Sequence, residues 1–289
     1  MSVNQPELVL YHAKWSLCSQ MVRVALHEKG LKYQHKIIKL CDHYDDADNL
    51  SKEFLAEVNP TGVVPVLKIG NEFVRDSAYI IERLDELIGS NLINLWPQET
   101  NKRDELRKWV YNTTIDENVK LGKSFGTTIP LFSTGLIEVL VKKLKLKSIL
   151  HIIFKHPRKE RKIAFVAMYF LSIKNKIGPL AYDSFVNGLI EIDKHLDNKD
   201  YLFQDFTHAD INLMCCFHRL EELGLGSILQ MSEFSNITSY WERLKNRNSY
   251  QEGILGFTDH ENILNEAFPD NFNPHLSKLQ DFIVSKIST

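Results

Sequence analysis

Cysteine is scarce in this chain: four residues in 289, at positions 18, 41, 215 and 216. That is too few for a disulfide-stapled scaffold, and their spacing matches no metal-ligand pattern, so reduced thiols and no bound metal are expected. Strong net charge is also missing. Lys and Arg number 35 against 37 Asp and Glu, a formal charge of -2, and no helix-turn-helix or RNA-binding signature accompanies the local basic clusters. Nucleic acid is therefore not an expected partner. No apolar run reaches the ~20 residues needed to span a bilayer. The first seven residues carry neither a basic nor an apolar leader pattern, so the expected location is the cytoplasm. What remains is a chain with 44% apolar residues, enough for a large core in one or two domains.

The chain is organised around residues 8 to 84. Leu8 to His12 reads as a short buried strand. Met21, Val22, Ala25 and Leu26 then recur at helical spacing until Gly30. Between them, Ser16-Leu17-Cys18-Ser19 sets a hydroxyl and a thiol at a helix N-terminus, where the dipole favours a thiolate. Tyr33 to Leu40 is the expected second strand, and an acidic loop from Cys41 leads to an amphipathic helix ending near Val58. Val64-Pro65 precedes the strand Val66 to Ile69, a position where proline is often cis. A turn at Gly70-Asn71 joins it to the strand Glu72 to Arg75, and Asp76-Ser77 opens a helix with Ile80, Ile81, Leu84 and Leu87 on its apolar face.

Gly89 to Thr100 reads as a linker, and Asn101 to Leu121 as a long helix with Leu106, Trp109, Val110 and Thr113 inward. All further elements are expected to be helical. Residues 123–179 are broken at Ile129-Pro130 and His156-Pro157. Between 142 and 162 stand nine Lys and Arg residues against Glu160 alone, among many Leu and Ile. This surface either packs on its own domain with its cations in water or lies on an anionic membrane. Thr207 and Asp210 have the spacing of an N-terminal capping box. Cys215-Cys216 lie in a helical run and read as small buried apolar residues.

The order of strands and helices up to Asp76-Ser77 resembles the thioredoxin-like N-terminal domain of cytosolic glutathione transferases. Ser16-x-Cys18 with Val22-Arg23-Val24-Ala25-Leu26 and Glu28-Lys29-Gly30 is similar to the zeta class and the tetrachlorohydroquinone dehalogenase group. His218-Arg219-Leu220, Leu223-Gly224 and Arg247-Asn248-Ser249-Tyr250 resemble the dehalogenase-like and ganglioside-induced differentiation-associated branches. The resemblance implies an α/β thioredoxin-like domain over 7–90 that binds glutathione. An all-α domain over 101–270 follows, enlarged by the insertion at 123–179, and then a tail over 271–289.

Carried over residue by residue, it implies Ser16 and Cys18 as catalytic groups. Val64, Pro65, Asp76 and Ser77 hold glutathione, His43 being either a further contact or a solvated histidine. Tyr11, His12, Lys14, Trp15, Trp109 and Thr113 line a pocket for a small, apolar electrophile. It also implies glutathione as co-substrate and a homodimer. The bland readings stand beside these: Ser16 as a plain helix cap, Cys18 as a small buried residue, Trp109 as core. Activity is expected to be glutathione transfer or reductive thiol exchange. The alternatives are a zeta-like cis-trans isomerase, weakened by Leu17 in the motif and by the insertion, and a non-catalytic membrane-associated protein, with contact through 142–162.

Overall fold

The computed structural model describes residues 6–87, 93–115, 119–173, 176–257 and 260–288. Strand β1 (Leu8–His12) is buried along its whole length, and β2 (Gln34–Ile37), β3 (Val66–Ile69) and β4 (Glu72–Arg75) complete a sheet in the order β2-β1-β3-β4. β1 and β2 run parallel, joined across α1 (Leu17–Glu28); β3 and β4 are antiparallel to their neighbours. Helix α1 ends as its sequence foretells. Gly30 takes φ +57°, Leu31 N–H donates to Leu26 O and Gly30 N–H to His27 O, a Schellman cap. Helix α2 (Ser77–Asp85) lies against the sheet through Ile80, Ile81 and Leu84, all fully buried.

The first half differs from expectation in three places. β2 covers only Gln34–Ile37, because it is an exposed edge strand and only its centre pairs with β1. The helix expected before Val58 is reduced to one π turn, Phe54–Val58. The segment ahead of it is held by side chains instead: Asp48 accepts from Lys39 N–H, and Asn49 bonds Cys41 N–H and Gly62 O. The first four residues of the expected linker lie outside the described residues. Beyond them, Leu95 and Trp96 are buried and give their N–H groups to Asp85, which also pairs with the buried Lys29 at 2.6 Å.

The helical part comprises α3 (Thr100–Thr113), α4 (Phe125–Phe132), α5 (Thr134–Lys142), α6 (Leu146–Lys155), α7 (Lys159–Leu171), α8 (Tyr182–His195), α9 (His208–Glu222), α10 (Ser235–Lys245), α11 (Asn248–Gly253), α12 (Glu261–Ala267) and α13 (Leu276–Ile287). Helix α3 stops eight residues short of Leu121. There the chain crosses the start of α4 so closely that a Cβ on Gly126 would meet Thr114 O at 2.2 Å and Thr113 O at 2.4 Å. Pro130 sits inside α4 rather than breaking it; the bend falls at Ser133, whose hydroxyl donates to Ile129 O. His156-Pro157 does separate α6 from α7. The capping box of α9 forms, Thr207 N–H and hydroxyl both donating to Asp210 at 2.7 Å. The C-terminal helix α13 folds back, with Leu279 and Ile283 fully buried and Lys286 paired with Asp183 of α8. One apolar core runs from β1 and α1 through α9 to α13.

Candidate functional site

The sheet register builds the site. Tyr11 stands opposite Val66, and Val66 opposite Arg75. The turn after β1, the residues before β3 and the start of α2 therefore meet at one end of the sheet. Ser16 caps α1 there, its hydroxyl accepting from Ser19 N–H at 3.4 Å. Val64-Pro65 is cis, and Val64, just ahead of the β3 ladder, leaves its backbone unpaired among the described residues. Asp76 adopts φ +72°, a sparsely populated conformation for a non-glycine residue, and its carboxylate caps α2 through Ala78 and Tyr79 N–H.

Cys18 stands half-buried in the first turn of α1, with Ser77 and Asp76 nearby. Burial pushes its thiol up to about 11; Ser77 opposes that shift and the Asp76 carboxylate adds to it. Burial thus works against the helix dipole at this thiol.

The turn bearing these groups is gripped from two sides. Arg23 of α1 is fully buried and donates to His12 Nδ1 (3.1 Å), Ala13 O (3.3 Å), Lys14 O (2.9 Å) and Gly253 O (2.7 Å). Arg219 of α9 donates to the next carbonyl, Trp15 O, at 2.6 Å, and its Nε lies 2.7 Å from Glu222. Three consecutive carbonyls ahead of Ser16 are therefore held by two buried guanidinium groups. Glu222 also receives Trp15 Nε1 (3.1 Å) and His260 Nε2 (2.7 Å), and His260 stacks on the Trp15 ring at 3.8 Å. Burial alone would raise the Glu222 carboxyl. Arg219, with the hydrogen bond from His260 and with His218 Nε2 3.4 Å away, holds it well below the usual range instead.

Other expected residues divide between this end of the sheet and the interior. Trp15 is central, and half-buried His43 lies parallel to it with centroids 6.2 Å apart. Lys14 contributes its carbonyl to the Arg23 grip. His12 is fully buried between Arg23 and His35, and burial and Arg23 pull it down to about 3, so it is neutral. Tyr11 belongs to a separate apolar cluster with Val66 and Phe54, on the other face of the sheet. Trp109 packs against His195, and fully buried Thr113 donates to Trp109 O and accepts from Asn212. Both lie inside the helical part, Trp109 in the core position that its alternative reading gave it.

Glu222 and His260 went unnoticed in the sequence, and Arg23, His218 and Arg219 appeared only within motifs. The available signals were an arginine on the apolar face of α1 and the i, i+3 and i, i+4 spacing of Arg219 and His218 to Glu222.

The insertion reaches the site. Phe165 and Met168 of α7 and Ile149 and Ile152 of α6 share an apolar cluster with Cys41 and Leu50. Asp45 accepts from Lys145 N–H and from the Ser148 hydroxyl, and a cleft of about 830 Å³ separates the loop from α6. Arg161, in the first turn of α7, favours the ionised forms of both Cys18 and Cys41.

A sheet in this order, a cis-proline before β3 and a helical part packed behind define a thioredoxin-like domain joined to a helical one. The profile of the family "Glutathione S-transferase, N-terminal domain" matches residues 15–87. Glutathione S-transferase 1 of Dianthus caryophyllus is 39% identical over 102 residues, 35% of this chain and 43% of that protein. The tetrachloro-p-hydroquinone reductive dehalogenase of Sphingobium chlorophenolicum is 23% identical over 256 residues, 85% of this chain and 95% of that one. Among solved structures, a beta-etherase of Sphingobium superposes with a TM-score of 0.72 at 20% identity, covering 86% of this chain and 99% of that one. The chain spans less than half the length of the first curated relatives it matches. Residues 15–87 thus match the N-terminal domain of glutathione S-transferases, and the whole chain has a fold like that of the solved relatives.

Proposed function

We propose that the protein is a glutathione-dependent enzyme in which Ser16 supports a glutathione thiolate for attack on a small, apolar electrophile. The observation that carries this reading is the convergence of an N-cap hydroxyl, an unpaired backbone step at Val64-Pro65 and the Asp76-Ser77 helix start at one end of the sheet. These residues fit the tripeptide. An extended peptide adds along Val64 as an extra strand, its amino end meets the Asp76 carboxylate, and its sulfur lies toward Ser16. A hydroxyl donating to a thiolate lowers a pKa that is near 8.5 for a free thiol, so the reactive fraction rises at neutral pH. The relatives named as glutathione transferases support the same chemistry.

A second reading adds Cys18. If a glutathionyl adduct forms, Cys18 as thiolate attacks the glutathione sulfur, making a Cys18–glutathione disulfide and releasing the acceptor carbanion, which takes up a proton. A second glutathione then resolves the disulfide, leaving oxidised glutathione. The likeness to the reductive dehalogenase favours this step; the proton that Cys18 gives up is the one the carbanion takes, and the Arg161 charge favours the thiolate in between. Trp15 serves the electrophile side of the site, and His43 beside it is a further glutathione contact. A homodimer, the habit of the superfamily, is part of this proposal.

Calorimetric titration of the reduced protein with glutathione, paired with thiolate absorbance of the bound tripeptide, tests the proposal. Wild type should bind. Ser16→Ala should raise the bound thiol's pKa by about a unit or more while leaving binding nearly unchanged. Cys18→Ser should keep conjugation and lose thiol exchange. Absence of binding at millimolar glutathione would sink the enzymatic reading.

A further inference from the structure

Six of the sixteen large apolar side chains that stand exposed on the described surface fall within α6 and α7. They are Leu146, Leu150 and Phe154 on the first helix, and Ile163, Phe170 and Leu171 on the second, with Phe154 76% and Ile163 70% exposed. Steps of 100° per residue put Leu146, Leu150 and Phe154 along one line of α6, away from the buried Ile149 and Ile152. In α7 the same geometry sets Ile163 and Phe170 opposite the buried Phe165 and Met168. Each helix is thus apolar on two sides. One side faces the protein's core; the other has no cover.

The cations of this region also fall into two groups. Lys142, Lys143, Lys145 and Arg158 pair with Glu138, Glu266, Asp45 and Glu160. Lys147, Lys155, Lys159, Arg161 and Lys162 make no ion pair among the described residues. Unpaired lysines beside exposed leucine, isoleucine and phenylalanine match the surface of a bilayer with anionic head groups: the apolar chains enter the acyl boundary and the ammonium groups stay at the phosphates.

We infer that the outer face of α6 and α7 docks on an anionic lipid surface. A second copy of the chain fits this face less well, because a twofold contact lays the patch on itself and brings like charges together. Nucleic acid would engage the lysines and leave six large apolar groups without a role. The helices have 10 and 13 residues, about 15 and 20 Å, against about 30 Å for the hydrocarbon core. They lie in the plane of the surface and do not cross it. The bent pair α4 and α5, which reaches spanning length and composition, is mostly buried in the core. The inference is independent of the glutathione reading.

The test is flotation of the full chain with vesicles of phosphatidylcholine, alone or with about a third phosphatidylserine. The chain should partition onto the anionic vesicles, more weakly onto neutral ones, and less as salt rises. Leu150→Ser combined with Phe154→Ser should lower partitioning at least tenfold, and each of Lys147→Gln, Lys159→Gln and Lys162→Gln about fivefold. Thermal midpoints should stay unchanged, since the positions lie on the surface. Failure to float, flotation indifferent to these variants, or equally tight binding to duplex DNA would overturn the inference. So would self-association in the ultracentrifuge that the same apolar variants abolish.

Discussion

The turn before Ser16 and the insertion at α6 and α7 handle charge in opposite ways. Around the turn, charges are buried and paired with one another: Arg23 and Arg219 hold backbone carbonyls, and Glu222 answers Arg219 and two histidines. In the insertion the ion pairs reach the surface, Glu138 alone being buried, and among the described residues four lysines have none. A buried charge network tolerates one arrangement, since any unpaired member carries a desolvation penalty, and so it fixes the geometry of a small site. Exposed cations on an apolar face cost little and leave a surface ready for a partner. The contrast separates a region built to hold its own atoms still from one built to meet something else.

Three measurements sharpen that contrast. The largest effect is expected from Arg219→Ala, which leaves Glu222 buried with its main counter-charge gone and should cost about 3–5 kcal/mol in urea unfolding. Glu222→Gln in that background should recover part of the loss. The insertion's exposed pair provides the counterpart: Lys143→Ala, opposite Glu266, should cost less than about 1 kcal/mol. Equal effects at the two sites would erase the distinction.

Next come two neighbours within α6. Ile149 is fully buried and Leu150 is 45% exposed. Ile149→Ala should lose about 2–5 kcal/mol and Leu150→Ala less than about 0.5 kcal/mol, both read from urea midpoints. A large loss at Leu150 would mean its side chain is covered in the free protein.

Acid sensitivity is the smallest effect when taken per histidine and per pH unit. Burial pulls His12 and His208 down to about 3, and His156 in the insertion to about 4, from the ordinary 6.5. Between those values and pH 6.5 the unfolded chain binds protons that the folded chain refuses, so stability falls as pH falls. Each such histidine contributes up to about 1.4 kcal/mol per pH unit in that window. Urea midpoints at pH 7, 6 and 5 should fall in that order; a flat profile would place these rings in contact with water.

The reach of sequence reasoning follows the range of the interactions. Strand β1, helix α1 with its glycine cap, the cis-proline, the Asp76-Ser77 helix start and the Thr207-Asp210 capping box depend on residues a few positions apart, and all were legible. So was the position of Ser16 as the cap of α1. The end of α3 was not, because Gly126 forces a crossing that periodicity over Leu106, Trp109 and Thr113 does not contain. Trp109 reads equally well as pocket or core until His195 is found beside it.

By itself, the sequence determined the local grammar of this protein: which segments pair or coil, where they stop, and that a hydroxyl and a thiol stand at the first turn of α1. Tertiary structure decided what surrounds them. Arg219 meets Trp15 across 204 positions and Glu222 meets it across 207, and burial together with Asp76 raises the Cys18 thiol against the pull of the helix dipole. Hydrogen bonding within a turn is written in neighbouring residues. Desolvation and long-range charge pairing exist only once the chain has folded around them.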